Sequence, residues 1–376
     1  MFTITVGDPQ KVGDPISAHI VYTVTTKTNH PAFKKDSFSV LRRYSDFLWL
    51  YETLVSNNPG IIVPPVPEKV ALGRFEGSFV ESRRLALNKC IQKIANHAKL
   101  ANDLDFIFFL ESDTFSLDIK HRRAESSTGG FLASLGSSIS GSKFHETDEW
   151  FDKKKTYLDT LEAQLRSLVK AIEAVAKQRT EVITATQEFA DTIAALAASD
   201  LSKHLSESMK VLAQVETQAK ELHDSQARDD LVLLTGTVDE YIRLITSVRL
   251  AFQSRTKTYH NMKLTESERL RVRNANEKII RQHTVDRQSM VPLQREIEQV
   301  ELKAQEARTK FEEVTRLCKA EVDRFERERI NDFKISLERF LDGMLRRQNE
   351  IIDSWDGYQK LLLKSTDLNN EAPTAA

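Results

Sequence analysis

Between Pro67 and Pro292 the chain contains no proline, and that gap constrains its fold more than any other feature. Seven of the nine prolines occur by Pro67, and nine of the twelve glycines lie at or before Gly141. Helix-breaking residues are therefore concentrated in the first third, which must be a turn-rich fold, while the rest has little to interrupt long helices. At 376 residues the chain is long enough for two ordinary domains, and its 40% hydrophobic and 29% charged residues are the balance of a folded chain rather than a disordered one.

The first third holds three strand-like stretches, FTITV (2–6), AHIVYTVTTKT (18–28) and SFSVLRRY (37–44), rich in β-branched and aromatic residues and separated by turn signals. They predict a small antiparallel meander. A helix is expected after Ser45, burying Phe47, Leu48, Leu50, Tyr51 and Leu54 and stopping near NNPG (57–60). In IIVPPVPEKVALGRF (61–75) three prolines in four positions forbid helix and favour an extended polyproline II loop. Helices follow over 81–100 and, more briefly, 103–112, which makes this an α+β domain.

Residues 124–143 contain seven serines and four glycines, a linker composition. Yet Phe131, Leu132, Leu135 and Ile139 recur there at helical spacing. Two readings stand: a shallow membrane-inserting helix with small polar residues opposite its apolar face, or a helix packed on the domain that follows.

From Trp150 to Tyr358 the periodicity is helical almost throughout. A first stripe runs from Leu158 through Leu168, Val175, Val182 and Phe189 to Leu196; a break follows, with Asp200 as its cap. A second stripe includes Val238, Ile242, Ile245, Phe252 and Tyr259, Pro292 marks the next turn, and a third stripe runs from Ile297 past Phe311 to Tyr358. Three helices of about 50, 80 and 70 residues are far longer than globular helices of about 11–12 residues, and they must pack against one another and against another copy to cover their apolar faces. The seam is expected to include parts of the Phe311 to Tyr358 stripe and of the Val238 to Tyr259 stripe.

Catalysis finds no support. The nine histidines are scattered, and no GxSxG, HExxH or GxxxxGK[ST] motif occurs. No cofactor or metal is expected. With 54 Lys+Arg against 55 Asp+Glu the net charge is -1, so no global field argues for nucleic acid, and any electrostatic function must be local. Cys90 and Cys318 read as lone, reduced core thiols of a cytoplasmic protein. Neither a signal peptide nor an apolar run of membrane-spanning length is expected, so any membrane is met from outside.

Local charge gathers in two places. RRYSDF (42–47) puts two arginines and a tyrosine where the third strand ends; adjacent strand residues point to opposite faces, so one arginine is structural and the other free. Either Arg42 pairs with Asp46 while Tyr44 fills core, or a guanidinium here grips phosphate beside an aromatic ring. Lys69, at the tip of the proline loop, and Arg83-Arg84, at the opening of the next helix, are further cations for one polyanionic headgroup. The second place is 263–295, where Lys263, Arg269, Arg271, Arg273, Lys278, Arg281, Arg287 and Arg295 outnumber four acidic residues. As a helix tip, this would be drawn to an anionic bilayer; as a solvated face, it would do nothing.

RRYSDFLWL, then PPVPEKV, then FVESRRLALNKCI together resemble the phox-homology (PX) domain. A PX domain followed by a serine-rich amphipathic stretch and three long helices is similar to the sorting nexins that carry a BAR domain, and resembles the sorting-nexin subunit of the retromer coat. The resemblance implies a PX domain over 1–122, a linker with an amphipathic helix over 123–146, a dimerising BAR domain over 147–365 and a tail over 366–376. It implies that Arg43 binds the 3-phosphate of phosphatidylinositol 3-phosphate, Tyr44 stacks on the inositol ring, Lys69 contacts the 1-phosphate and Arg83 the ring hydroxyls; Arg42 and Arg84 are not carried over. It further implies insertion of Phe131, Leu132, Leu135 and Ile139, a basic tip, dimerisation with itself or a related sorting nexin, retromer cargo-recognition subunits as partners, and a cytoplasmic, peripheral place on endosomes. The chain departs from the family in opening directly at its first strand, without the usual long tail. The alternative is a coiled-coil scaffold whose first domain binds a peptide.

Overall fold

The computed structural model describes residues 2–14, 18–69, 76–125, 144, 146–199, 202–282 and 287–370. Strands β1 (Phe2–Val12), β2 (His19–Thr28) and β3 (Ser37–Arg43) form an antiparallel sheet in the order β1-β2-β3. Alternation fixes its inner face: Ile4 and Val6, Tyr22 and Val24, and Val40 are buried while their neighbours face outward. Arg42 continues the inward row of Val40 and Arg43 falls on the other face.

Helix α1 (Tyr44–Asn57) and helix α2 (Gly77–Asn96) cover that face, with α3 (Leu104–Glu111) and α4 (Phe115–Glu125) closing the end. Phe47, Leu50, Leu54, Leu87, Ile91, Phe106, Phe109 and Phe115 make one core. Helix α2 begins before the expected residue 81, so Arg83 and Arg84 stand in its second turn rather than at its positive end. Helix α4 was not anticipated, because three apolar residues in a basic stretch give too short a periodic signal.

Arg42 holds this end together. Its Nε and Nη2 donate to the Phe109 carbonyl at 2.9 and 2.6 Å, Nη2 also to Ser112 O at 2.6 Å and Nη1 to Leu41 O at 2.8 Å. These include carbonyls left open where α3 ends. The guanidinium lies 4.4 Å from the Phe115 ring centroid, and burial pushes its pKa down to about 10, still fully cationic at neutral pH. The expected alternative pairing of Arg42 with Asp46 is thus corrected: Asp46 takes Arg43 instead.

The remaining elements are α5 (Glu149–Ala197), α6 (Lys203–Asp230), a π-helical turn (Leu231–Thr235), α7 (Gly236–Gln282) and α8 (Arg287–Asn370). Pro292 lies inside α8, at its sixth residue, instead of marking the turn before it; there it forfeits the bond its N–H would make to the carbonyl four residues back. Asp200, the expected cap, lies outside the described residues, and Ser202 Oγ accepts the Leu205 N–H at 3.4 Å.

The chain divides into two compact units. The first comprises residues 1–160 and 242–328, and here the sheet domain packs directly on helices α7 and α8. Gly60, at φ +86°, brings the loop after α1 so close to α8 that a Cβ would stand 3.1 Å from Val314 Cγ1 and from Val314 O. Only glycine accepts both conditions. Gly60 N–H donates to Ser254 Oγ at 2.8 Å, Tyr51 Oη and Ser247 Oγ are 3.1 Å apart, and Ile62 N–H donates to Glu321 Oε2 at 3.0 Å. Arg255 of α7, buried among Phe144, Phe151 and Phe311, pairs with Glu146 at 2.7 Å and fixes the chain just before α5.

The second unit comprises residues 161–241 and 329–376. Its interior is thin, built on Ile183, Ala190, Ile193, Ala213, Val215 and Ala219, with Arg179 paired to Asp230 and Arg347 to Asp229. Ser336 Oγ donates to Leu233 O at 3.0 Å, serving a carbonyl of the π turn. Leu168, Val175, Val182, Phe189 and Leu196, each seven residues after the last, are 42–55% exposed on α5; on α8, Ile330, Leu337, Leu341, Leu345 and Ile352 are exposed as well.

Of the expected seam, the later part of the Phe311 to Tyr358 stripe stays open, with Leu337 and Trp355 exposed. Val238, Tyr241, Ile245, Val248 and Phe252, like Val314, Cys318, Val322 and Phe325, are buried within the chain itself. Buried side chains cannot serve a second copy, so the apolar face still open is the α5 heptad with the later part of α8. Cys90 and Cys318 are buried thiols that form no disulfide, and burial pushes the Cys318 thiol up to about 12.

Candidate functional site

The end of β3 and the start of α1 form the base of the site. Arg43 is the residue before the first turn of α1; its N–H donates to Asp46 Oδ2 at 3.0 Å, a capping contact that also sets a carboxylate on the positive end of the helix. The same Asp46 meets Arg43 Nε at 3.3 Å, with the arginine side chain 43% exposed and the aspartate 7%. The pairing uses Nε alone, and no hydrogen bond from Nη1 or Nη2 of Arg43 is seen among the described residues. Asp46 therefore orients the guanidinium and leaves its terminal fork available.

Tyr44, next along, donates from Oη to Pro67 O at 2.7 Å. Arg83 of α2 donates from Nη2 to Glu68 O at 2.9 Å. Two consecutive carbonyls of the proline loop are thus pinned immediately before Lys69, which is exposed. Proline cannot donate backbone hydrogen bonds, so such a loop depends on side chains for anchorage. Residues 70–75 lie outside the described residues.

Arg83 lies between two rings, 4.5 Å from the centroid of Tyr44 and 4.4 Å from that of Phe79. Its Nε is buried and has no hydrogen-bond partner among the described residues. Burial lowers the Arg83 pKa, with Tyr22 and Tyr44 opposing; burial also raises that of Tyr44, against Arg83 and Arg243. The cation–ring contacts offset the cost of placing a charge here. The arrangement is a ledge with an aromatic edge, an oriented arginine, a second arginine with an unused donor and a lysine on a pinned loop. Such donors suit a phosphorylated ring better than an apolar ligand.

Arg84 is a different matter. It pairs with Glu81 at 2.6 Å and donates to Val6 O at 2.7 Å, and so ties α2 to β1. Phe79, one turn before Arg83 on α2, and Arg243 were missed from sequence. The first would have been visible had the start of α2 been placed correctly.

The basic stretch lies at the end of α7 and the start of α8. Lys263, Arg271, Arg273 and Lys278 are exposed and Arg269 is partly so. Two are spent along the helix, Arg269 on Glu266 at 2.7 Å and Arg273 on Glu277 at 3.0 Å, while Lys263 lies 5.5 Å from the Tyr259 ring centroid. The side chains of Arg281 and Arg287, and all of Phe131, Leu132, Leu135 and Ile139, lie outside the described residues. Among the described residues no helix is long and apolar enough to cross a membrane, and no three His, Cys, Asp or Glu side chains gather as a metal site.

Two parts of the chain match different known families. Residues 30–113 match the family described as PX domain, and residues 124–361 the family described as Vps5 C terminal like. The vacuolar protein sorting-associated protein vps5 of Schizosaccharomyces pombe is 32% identical over 372 residues, covering 95% of this chain and 65% of the relative. Human sorting nexin-1 is 32% identical over 376 residues, covering 95% of this chain and 71% of the relative. The chain thus spans about two thirds of the length of the relatives it matches. Among solved structures, the cryo-EM structure of the SNX-BAR Mvp1 tetramer aligns over 94% of this chain and 99% of that one, with a TM-score of 0.63 at 15% identity, a likeness of fold.

Proposed function

Because the chain belongs to the sorting nexins that join a PX domain to a Vps5-like BAR region, we propose that it is a peripheral membrane coat protein that binds phosphatidylinositol 3-phosphate on endosomes and, as a dimer, bends or senses the bilayer for retromer-type sorting. The family is one of non-enzymatic trafficking adaptors, and this chain acts by binding rather than turnover. The observation that carries the reading is the cluster at the end of β3: Tyr44 and Arg83 pin the loop before Lys69 while Asp46 orients Arg43. Arg43 is the residue for the 3-phosphate, Tyr44 for the face of the ring, Lys69 for the 1-phosphate and Arg83 for the ring hydroxyls.

The exposed heptad on α5 supports dimerisation with itself or a related sorting nexin, since an apolar stripe of that length is rarely left in water. Two headgroup sites and two basic ends on one particle turn weak contacts into firm attachment. Phe131, Leu132, Leu135 and Ile139 supply the wedge, and retromer cargo-recognition subunits the cargo. Electron microscopy of the protein with liposomes tests this: tubules on vesicles containing phosphatidylinositol 3-phosphate are expected, and smooth vesicles with and without the lipid would overturn it.

A further inference from the structure

The site at the end of β3 does not stop at the sheet domain. Helix α7 meets α1 at Tyr51, whose Oη lies 3.1 Å from Ser247 Oγ, and meets the loop after α1 at Gly60, whose N–H donates to Ser254 Oγ at 2.8 Å. Both contacts advance together, so the chain from α1 into its loop follows α7 in the same direction. Stepping back from Tyr51 leads to Tyr44, about 10 Å along α1, and stepping back one turn from Ser247 leads to Arg243, about 6 Å along the same face of α7. An arginine side chain spans the remaining difference in level.

Arg243 carries an unmatched donor: among the described residues its buried Nε has no hydrogen-bond partner, as is true of Arg83 Nε. Other arginines at this junction are accounted for: Arg255 by Glu146, Arg324 by Glu321 and Glu328. Arg243 also reaches Tyr44 electrostatically, since its charge favours the ionised phenol, second only to Arg83 among the cations. Two buried Nε donors without acceptors, both acting on one tyrosine, are costly unless something brings oxygens to them.

We propose that Arg243, from the helical region, is a further headgroup-binding residue, donating to a phosphate-bearing inositol ring held by Arg43, Tyr44, Lys69 and Arg83. The proposal rests on the headgroup reading of those four residues. Its consequence is mechanical: a bound headgroup touches both the sheet domain and α7, so lipid recognition stiffens the joint that orients the helices on the bilayer.

The test is calorimetric titration of the full chain with water-soluble dibutanoyl phosphatidylinositol 3-phosphate. Loss of one charged donor is expected to weaken binding on the order of tenfold in Arg243→Ala. Arg243→Lys is expected to restore part of it, and Tyr51→Phe, which removes an α1–α7 hydrogen bond but no cation, to stay within about twofold of the parent. An unchanged Arg243→Ala beside a non-binding Arg43→Ala would overturn this extension alone. An unchanged Arg43→Ala would overturn the headgroup site and the extension with it. Equal losses in Tyr51→Phe and Arg243→Ala would mean that Arg243 acts only through packing. Inorganic phosphate is expected to give no saturable heat; saturable phosphate binding lost in Arg243→Ala would make this a free-anion site.

Discussion

Glu321 of α8 accepts the Nε2–H of His97 at 3.0 Å, across the junction between the sheet domain and the long helices. The tautomer follows from the other ring nitrogen, since Nδ1 lies 3.3 and 3.2 Å from the N–H groups of Lys99 and Leu100 and must accept. Glu321 also takes the Ile62 N–H and Arg324. Burial works to raise its pKa, but the bonds from His97 and Arg324 outweigh it and hold the carboxyl at about 2.

A depressed carboxyl gives stability that is complete above its unfolded pKa and lost as pH falls through the folded one. The Glu321 contribution, on the order of 3 kcal/mol, is therefore expected to persist at neutral pH and to drain away between about pH 4.5 and 2. Glu321→Gln should lower the stability at pH 7 and flatten that part of the acid profile. Denaturant midpoints across pH, with hydrogen exchange at Ile62, measure it; an identical acid profile in the variant would contradict the role.

Arg42 and Arg43 are expected to fail in opposite ways. Arg42→Ala strips a buried charge from the Phe109 and Ser112 carbonyls and should cost at least about 3 kcal/mol, read as a lower urea midpoint. Arg43→Ala removes an exposed side chain, should shift that midpoint little, and should abolish lipid binding. Equal stability in the two variants would refute the division.

The alternation of β3 already assigned the two arginines to opposite faces, and the proline gap already announced the long helices. Which face was the inner one could not be told from six residues, because the partners of Arg42 are carbonyls sixty-seven and seventy residues away. The apolar stripe of α5 was legible too, but not its fate: Leu158, Leu161 and Leu165 are covered and the heptad from Leu168 is open. Hydrophobic period reveals that a face will be covered, not by which chain. Arg243 was invisible for a similar reason, since only the packing of α7 on α1 brings it near Tyr44.

Val182→Glu with Phe189→Glu places charges in the open heptad without touching the buried core of either unit. Light scattering should report one chain of 42.9 kDa for the variant and twice that for the parent. A parent that is monomeric without a partner would favour pairing with a related chain, and a variant that remains dimeric would exclude this stripe as the seam.

Phe131→Glu with Leu135→Glu separates holding a membrane from bending it. Four apolar side chains at about 25 cal/mol per Å2 are worth a few kcal/mol of insertion, whereas headgroup and basic contacts act on a flat surface. Binding should survive and tubulation fall sharply by electron microscopy. Full tubulation would return the segment to a packed linker.

The most direct test of the account is flotation of the pure chain with vesicles that differ only in phosphatidylinositol 3-phosphate, run beside Arg43→Ala. The parent is expected to float with the lipid and to stay down without it, and Arg43→Ala to stay down in both while keeping its circular dichroism. Equal flotation of the parent with and without the lipid, or undiminished flotation of a folded Arg43→Ala, would contradict it.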